Sequence, residues 1–522
     1  MMSWDDEHST LRLWARDASL WTSTDESQWM GWLDAVGSSL SAESELTDFA
    51  DEIRREGVRH ILLLGMGGSS LCARVFQKTF GATNFLVLDS TDPAQIRACE
   101  SQIDLNKTLC LVSSKSGSTL ETQLLFQHFR TRVKHFVAIT DPDSPFEKTA
   151  LDSGFRKIFH GIPPIGGRYS ALSNFGMVPA ALMGLDLKKL LGRAYDMFHA
   201  CGPTLAEHEN PGVMLGKFLG ENAALGQDKL TLLISPQMLE LGSWLEQLIA
   251  ESTGKNGKGI IPIDREKLQP PEHYGSDRIF AYIRLNGDSN AELDAFAKAV
   301  EKVGHPVFRI TCHDLYDLGA EFFRWEFATA VAGSILGINP FNQPDVEATK
   351  KATTLSLTAR AETSELPWIP ASAGMTKIGL TLAELLNSIK EDDYFSICAF
   401  IEMNDAHEAI LQEIRNLILA HKRVATSLGF GPCFLHSTGQ LHKGGPNTGV
   451  FLQITCDDAI DIEIAEQKFS FSLVKEAQAN ADLSVLLERG RRCSQHHIRG
   501  DLMQGLVALK TEVQSLLQSG RG

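Results

Sequence analysis

The chain has 522 residues, 49 basic and 65 acidic side chains, a formal charge of −16 and 9 cysteines. This length exceeds what one core usually organises, so two or three domains are expected, and 43% hydrophobic with 22% charged residues excludes wholesale disorder. The acid excess argues against non-specific nucleic-acid binding or an anionic membrane surface, though not against a local pocket for an anionic metabolite. No apolar run approaches the ~18 residues that a spanning helix needs. The N-terminus MMSWDDEHSTLRLW lacks the basic-then-apolar pattern of a secretory signal. Scattered cysteines without a C-x-x-C pair fit reduced thiols in the cytoplasm better than a disulfide frame, and no metal site is expected.

Residues 1–50 carry Trp and Leu at spacings of three and four, which predicts an amphipathic helical segment. Short apolar runs then alternate with helical stretches: His60–Leu64, Asn84–Asp89, Thr108–Ser113 and Lys134–Thr140. After a helical stretch from Gly167 to about residue 225, a second series follows: Leu230–Ser235, Ile260–Ile263, Arg278–Leu285 and Pro306–Thr311. The alternation predicts an α/β protein with two doubly wound parallel-sheet subdomains, residues 51–204 and 205–350. Residues 351–522 read as an α/β extension, with strands at Tyr394–Met403 and Gly449–Thr455 and helices at Glu408–His421 and Leu502–Leu517. Within it, Thr363–Lys377 (TSELPWIPASAGMTK) is too rich in Pro and Gly for a helix and too apolar for a linker, and reads as a surface insert.

Two loops could hold a phosphate. Gly65-Met66-Gly67-Gly68-Ser69-Ser70 follows the first strand, where glycines let backbone N–H groups approach an anion. Asp89 ends the next strand as a ribose-binding acid would, but Ser70 stands where the last glycine of a dinucleotide fingerprint belongs. The second, Ser113-Ser114-Lys115-Ser116-Gly117-Ser118-Thr119-Leu120-Glu121-Thr122, offers six hydroxyls and a lysine at a helix start. Donors in every direction suit a phosphomonoester's three oxygens, and no Walker loop is present.

Several segments in order resemble the glucose-6-phosphate isomerases of the sugar isomerase domain family. GMGGSS is similar to the family's glycine-rich loop, SKSGSTLET to its phosphate loop, and Gly166-Gly167-Arg168-Tyr169-Ser170 to its G-G-R-[FY]-S signature. Gln247 to Lys255 (QLIAESTGK) and Ile338 to Lys350 (INPFNQPDVEATK) resemble two further motifs. RLWARDASLW and the long C-terminal extension look most like the isomerase half of bacterial transaldolase fusions, which implies a separate transaldolase as a partner.

The resemblance implies aldose–ketose isomerisation of a sugar phosphate without a cofactor, in glycolysis and gluconeogenesis, by a cytoplasmic homodimer. Such chemistry needs a base beside two adjacent carbons, a cation near the enediolate oxygen, and acid–base help in opening the ring. By motif position Glu251 is the expected base, Arg168 the enediolate cation and Lys350 a ring-opening residue. Gly68, Ser69, Ser114, Lys115, Ser116, Thr119, Gln247 and Gln343 are the expected phosphate and sugar contacts. The sequence departs from the family at its histidine motif, G-T-N-G-Q-H, which lies between base and lysine. Of the histidines in that interval, only His273 and His305 are plausible substitutes, and neither lies in that context. The nearest match, HSTGQLHKGG, follows Lys350; His442 is the expected ring-opening histidine, with His436 in reserve. The competing readings are an isomerase for another sugar phosphate, such as mannose 6-phosphate, and a non-catalytic sugar-phosphate sensor. A sensor commonly carries a basic DNA-reading module, which this acidic chain does not display.

Overall fold

A computed structural model describes residue 4, residues 6–362 and residues 379–519 of the chain. The surface insert expected at Thr363–Lys377 lies outside the described residues.

Three parallel sheets form the frame. The first holds β1 (His60–Leu64), β2 (Phe85–Leu88), β3 (Thr108–Ser113), β4 (His135–Thr140) and β5 (Lys157–His160), in the order β2-β1-β3-β4-β5. The second holds β6 (Lys229–Ile234), β7 (Ile261–Ile263), β8 (Arg278–Leu285) and β9 (Val307–Cys312), in the order β7-β6-β8-β9. The third holds β10 (Tyr394–Phe400), β11 (Ala425–Phe430), β12 (Gly449–Cys456) and β13 (Arg492–Ile498), in the order β11-β10-β12-β13. In each sheet the second strand goes to one side of the first and later strands to the other. Such a reversal opens a crevice at the carboxyl ends of the strands, where ligands of α/β proteins bind.

The central strands follow from their composition. HILLL, TLCLVS and KLTLLI are apolar at nearly every position, and all but His60 are buried. Strands covered by helices on both faces read that way. The C-terminal region is more regular than expected: it builds a complete third sheet with the strand order of the second. Its β11 (ATSLGF) and β13 (RCSQHHI), and also β5 (KIFH), lack a long apolar run. The expected N-terminal helix is interrupted, with helices at Asp6–Trp14 and Trp32–Arg55 and short 3₁₀ turns between them.

One large core spans the first two sheets, filled by the almost wholly buried helix Leu318–Leu336 and by Trp32, Trp244 and Trp325. The third lobe is joined to the others by two further clusters. Phe471, Val474 and Ala477 of helix Phe471–Glu488 pack with Leu125 and Phe129 beside the first sheet. Ala250, Ile261 and Ile263 of the second lobe pack with Tyr394, Phe434 and Phe451 of the third. Lys475 adds an ion pair to Asp92 at 2.8 Å across the same junction. No described helix is long and apolar enough to cross a membrane.

Inside the third lobe Lys443 and Asp482 form an ion pair of 2.6 Å, with side chains 1% and 0% exposed. Removing one partner strands the other charge in a dry interior, which typically costs about 3–5 kcal/mol. Lys443→Met is therefore expected to lower unfolding stability by about that amount, read from the urea midpoint at constant slope. A loss below 0.5 kcal/mol would mean that water reaches Asp482.

Candidate active site

The crevice is shaped first by glycine. Gly67 has φ +54°, and a Cβ there would come within 2.7 Å of the His436 carbonyl oxygen. A Cβ on Gly68 would sit 2.2 Å from the carbonyl of Gly167. The loop after β1 thus lies backbone to backbone on the loop that carries Arg168, with buried Ser69 beside the contact.

Arg168 is 1% exposed, and its guanidinium ties two distant segments to its own loop. Nε donates to Ser252 Oγ at 2.7 Å, Nη2 to the carbonyls of Pro340 at 2.6 Å and Asn342 at 3.0 Å, and Nη1 to Gln343 Oε1 at 3.0 Å. Nη1 also lies 3.4 Å from Glu251 Oε1. Glu251 stands near the end of helix Leu241–Thr253, and its Oε2 accepts a 3.0 Å bond from Gln247 Nε2 one turn earlier. Gln247 Nε2 also donates to the His436 carbonyl at 2.7 Å, while its Oε1 is buried with no partner among the described residues. Glu251, Arg168, Gln247 and Gln343, expected from separate motifs, therefore meet in one cluster.

At the carboxyl end of β3 the second loop presents hydroxyls. Ser113 Oγ, Ser114 Oγ and Thr122 Oγ1 are buried and have no hydrogen-bond partner among the described residues. Buried hydroxyls left open in this way cost free energy unless a ligand or water meets them. Ser116 and Ser118 pair with each other at 3.0 Å near the surface, and Thr119 precedes helix Leu120–Phe129 without a side-chain cap bond. Donors at a helix N-terminus and three open hydroxyls make a cradle for an anion. Lys115 does not join it: its ammonium is engaged by Asp141 and by the Ile162 carbonyl at 3.1 Å. Burial pushes the Lys115 pKa down, against the pull of Asp141.

The histidine differs from the first expectation. His442 is 3% exposed, with its ring 4.9 Å from that of Phe451 and 5.9 Å from that of Phe434. Burial, and then the neighbouring Lys443 and Arg491 charges, hold its pKa well below the usual histidine value. It belongs to the interior of the third lobe because the short helix Gly439–Gly444 turns it toward β12. His436, six residues earlier, reaches the crevice: its Nε2 lies 2.8 Å from Glu121 Oε1, and its carbonyl holds Gln247. Ser118, Thr119, Glu121, Lys350, His436 and Gln478 line one cavity of about 90 Å³. Lys350 is half-exposed there, 2.9 Å from Glu347 on its own helix.

The sequence reading quoted Glu121 within its loop but gave it no role, and Gln478 escaped it altogether. No signal marks Gln478: it lies in the helical stretch VKEAQANAD, indistinguishable from a solvated amide. Glu121 lies one position before Thr122, where its acid at a helix start reads as a capping charge. Among the described residues no three His, Cys, Asp or Glu side chains converge to hold a metal ion.

A family model described as phosphoglucose isomerase matches residues 44–265. A probable glucose-6-phosphate isomerase of Methanococcus maripaludis is 28% identical over 390 residues, covering 65% of this chain and 86% of the relative. A glucose-6-phosphate isomerase of Desulfitobacterium hafniense is 30% identical over 369 residues, covering 59% of this chain and 68% of the relative. Among solved structures, a hypothetical protein from Thermus thermophilus superposes with a TM-score of 0.59 at 24% identity, covering 67% of this chain and 94% of the other. A glucose-6-phosphate isomerase from Chlamydia trachomatis gives 0.53 at 21% identity, covering 69% and 79%. These two likenesses describe the fold.

Burial alone would raise the Glu121 carboxyl pKa, but the His436 charge and hydrogen bond overcome it and hold it below 4.5. A depressed folded pKa stabilises the protein above the unfolded value, and that stabilisation is lost as pH falls through the folded value. Wild type is thus expected to exceed Glu121→Gln by about 1–3 kcal/mol at pH 7. In urea titrations the gap should narrow as pH drops below 4.5; a gap independent of pH would refute the charge pairing.

Proposed function

The chain belongs to the phosphoglucose isomerase family, and on that premise we propose that it interconverts glucose 6-phosphate and fructose 6-phosphate through an enediolate. The observation that carries the reading is the buried Glu251 carboxylate between Arg168 and Gln247, near loop hydroxyls that have no hydrogen-bond partner among the described residues.

The steps follow from the groups present. The phosphate sits against Ser113, Ser114, Thr122 and the start of helix Leu120–Phe129, which leaves the sugar between Glu251 and His436. Ring opening breaks the C1–O5 bond: Lys350 gives a proton to O5, and His436 takes the proton from O1. The open aldehyde then loses its C2 proton to Glu251, forming a C1–C2 enediol with charge on oxygen. Arg168, a permanent cation, lowers the energy of that charge through its field, because most of its N–H groups are already committed. A proton passes from O2 to O1, and return of the proton from Glu251 to C1 then gives the ketose with its carbonyl at C2.

The base, the guanidinium, the histidine and the lysine all come from one chain, so each protomer carries a full set. Glycolysis and gluconeogenesis are where such an activity works. The homodimer, the cytoplasmic location and a transaldolase partner are carried over from the resemblance alone. The subdomain limits 51–204 and 205–350 are likewise proposed from the sequence pattern.

The decisive assay couples fructose 6-phosphate consumption to glucose 6-phosphate detection. Glu251→Gln is expected to lower kcat by ~10²–10⁴-fold while sugar-phosphate binding persists. His436→Ala should lower kcat on the cyclic substrate by about 10²-fold, whereas His442→Ala should leave turnover per folded molecule unchanged. An inactive wild type that still binds sugar phosphates would favour the sensor or a different epimer.

A further inference from the structure

Glu121 Oε1 is shared between two partners from the third lobe: His436 Nε2 at 2.8 Å and Gln478 Nε2 at 2.7 Å. Gln478 is 2% exposed, and its Oε1 accepts a 2.7 Å bond from the Thr91 hydroxyl. With the amide oxygen on the Thr91 hydroxyl, which then donates, the amide nitrogen meets Glu121. The amide end that reaches Glu121 is then a pure donor, which is satisfied by an ionised carboxylate. An ionised Glu121 in turn requires a proton on His436 Nε2. Whenever the imidazole is neutral it is thereby held as the Nε2–H tautomer, with Nδ1 as its remaining base. Among the described residues Nδ1 has no hydrogen-bond partner.

We propose that Gln478 is a positioning residue for the isomerisation: with Thr91 it keeps Glu121 ionised and oriented, so that His436 offers Nδ1 to the substrate. The inference rests on His436 acting in ring opening as proposed above. It assigns a task to the C-terminal lobe beyond supplying the histidine. Helix Phe471–Glu488 carries Gln478 and is anchored on the first lobe by the Lys475 to Asp92 ion pair and by Phe471, Val474 and Ala477. Its register against the first lobe therefore sets the state of the histidine. The relay crosses the lobe junction twice, from Thr91 to Gln478 and from Gln478 back to Glu121.

The test uses the full-length protein with Gln478→Met, similar in size but without either hydrogen bond, and Gln478→Glu. Gln478→Met should lower kcat about tenfold with KM changed less than twofold, since an hydrogen bond to a charged group is lost. Without its donor the Glu121 carboxyl binds a proton more readily, so the acid limb of the kcat profile should move up by about one pH unit. Affinity for an open-chain five-carbon aldonate 5-phosphate, an enediolate mimic that needs no ring opening, should stay within twofold. Gln478→Glu can share one proton with Glu121 and so restore the contact. It should recover activity over Gln478→Met at acidic pH and lose it as pH rises.

A second readout needs no activity. In protein with ¹⁵N-labelled histidine, the His436 imidazole, assigned by its loss in His436→Asn, should give the Nε2–H pattern in wild type. Gln478→Met should give a mixture of tautomers. Unchanged kcat, pH profile and tautomer in a folded Gln478→Met protein would overturn the proposal. Equal loss of turnover and aldonate affinity would also overturn it, by showing a structural role. A wild type without turnover would refute the isomerase reading itself, and the tautomer measurement would then still decide the role of Gln478.

Discussion

The buried guanidinium of Arg168 is the constraint from which the site follows. A permanent cation 1% exposed is tolerable only if its hydrogen-bonding capacity is met and an anion stands near. The chain meets this with Ser252 Oγ, the carbonyls of Pro340 and Asn342, the Gln343 amide oxygen and the Glu251 carboxylate. Two segments far apart in sequence, 251–252 and 340–343, are thereby tied to one planar fork. The glycines serve the same demand: Arg168 reaches this position because Gly167 lies directly on Gly68, at a separation that a Cβ would close. Glu251 is consequently placed by a group whose own position is overdetermined, which is what a base that must meet two adjacent carbons requires.

The third lobe completes what the first two leave open. The first lobe supplies the phosphate cradle and Arg168, and the second supplies Glu251 and Gln247. The acid–base group proposed for the far side, His436, comes from the turn after β11, where Cys433–His436 drops between the loops of the other two lobes. The contact is specific at both ends of His436: the carbonyl binds Gln247 beside the base, and the ring binds Glu121 beside the phosphate loop. Helix Phe471–Glu488 holds this arrangement from outside through apolar packing and through Lys475. The sheet order of the second lobe, repeated in the third, gives that lobe its own rigid core on which to carry the turn.

Legibility in the sequence followed burial and local contact. β1, β3 and β8 could be read residue for residue because a strand covered on both faces must be apolar throughout, as in HILLL and TLCLVS. β13 could not: RCSQHHI exposes His497 and keeps Gln495 for the β12 amide Gln453, so its polar residues hide the strand. Glu251, Arg168 and Gln343 were legible because each sits in a motif whose neighbours it needs. The choice between His436 and His442 was not, because six residues in one segment separate a crevice residue from a core residue. The decision is made by Glu121 and Gln247 on one side, both distant in sequence, and by Tyr394 and the β12 residue Phe451 on the other. Lys115 was misread for a similar reason: Asp141, which takes its charge, lies one strand further on.

That neutralisation of Lys115 has a consequence for how an acidic protein holds a dianionic ester. With a formal charge of −16 the protein repels phosphate at long range, but over a Debye length of about 8 Å at physiological salt this is largely screened. Close in, the proposed phosphate cradle would use neutral donors: the open hydroxyls of Ser113, Ser114 and Thr122 and the N-terminal turn of helix Leu120–Phe129. Neutral donors bind the ester equally before and during reaction, so they anchor the substrate without favouring any step. In the proposed reaction the cations stand at the other end, Arg168 beside Glu251 and Lys350 on the cavity that His436 lines, where charge would change along the path. Dividing the donors this way lets binding at the phosphate end position the sugar, while the charged groups act where new charge forms.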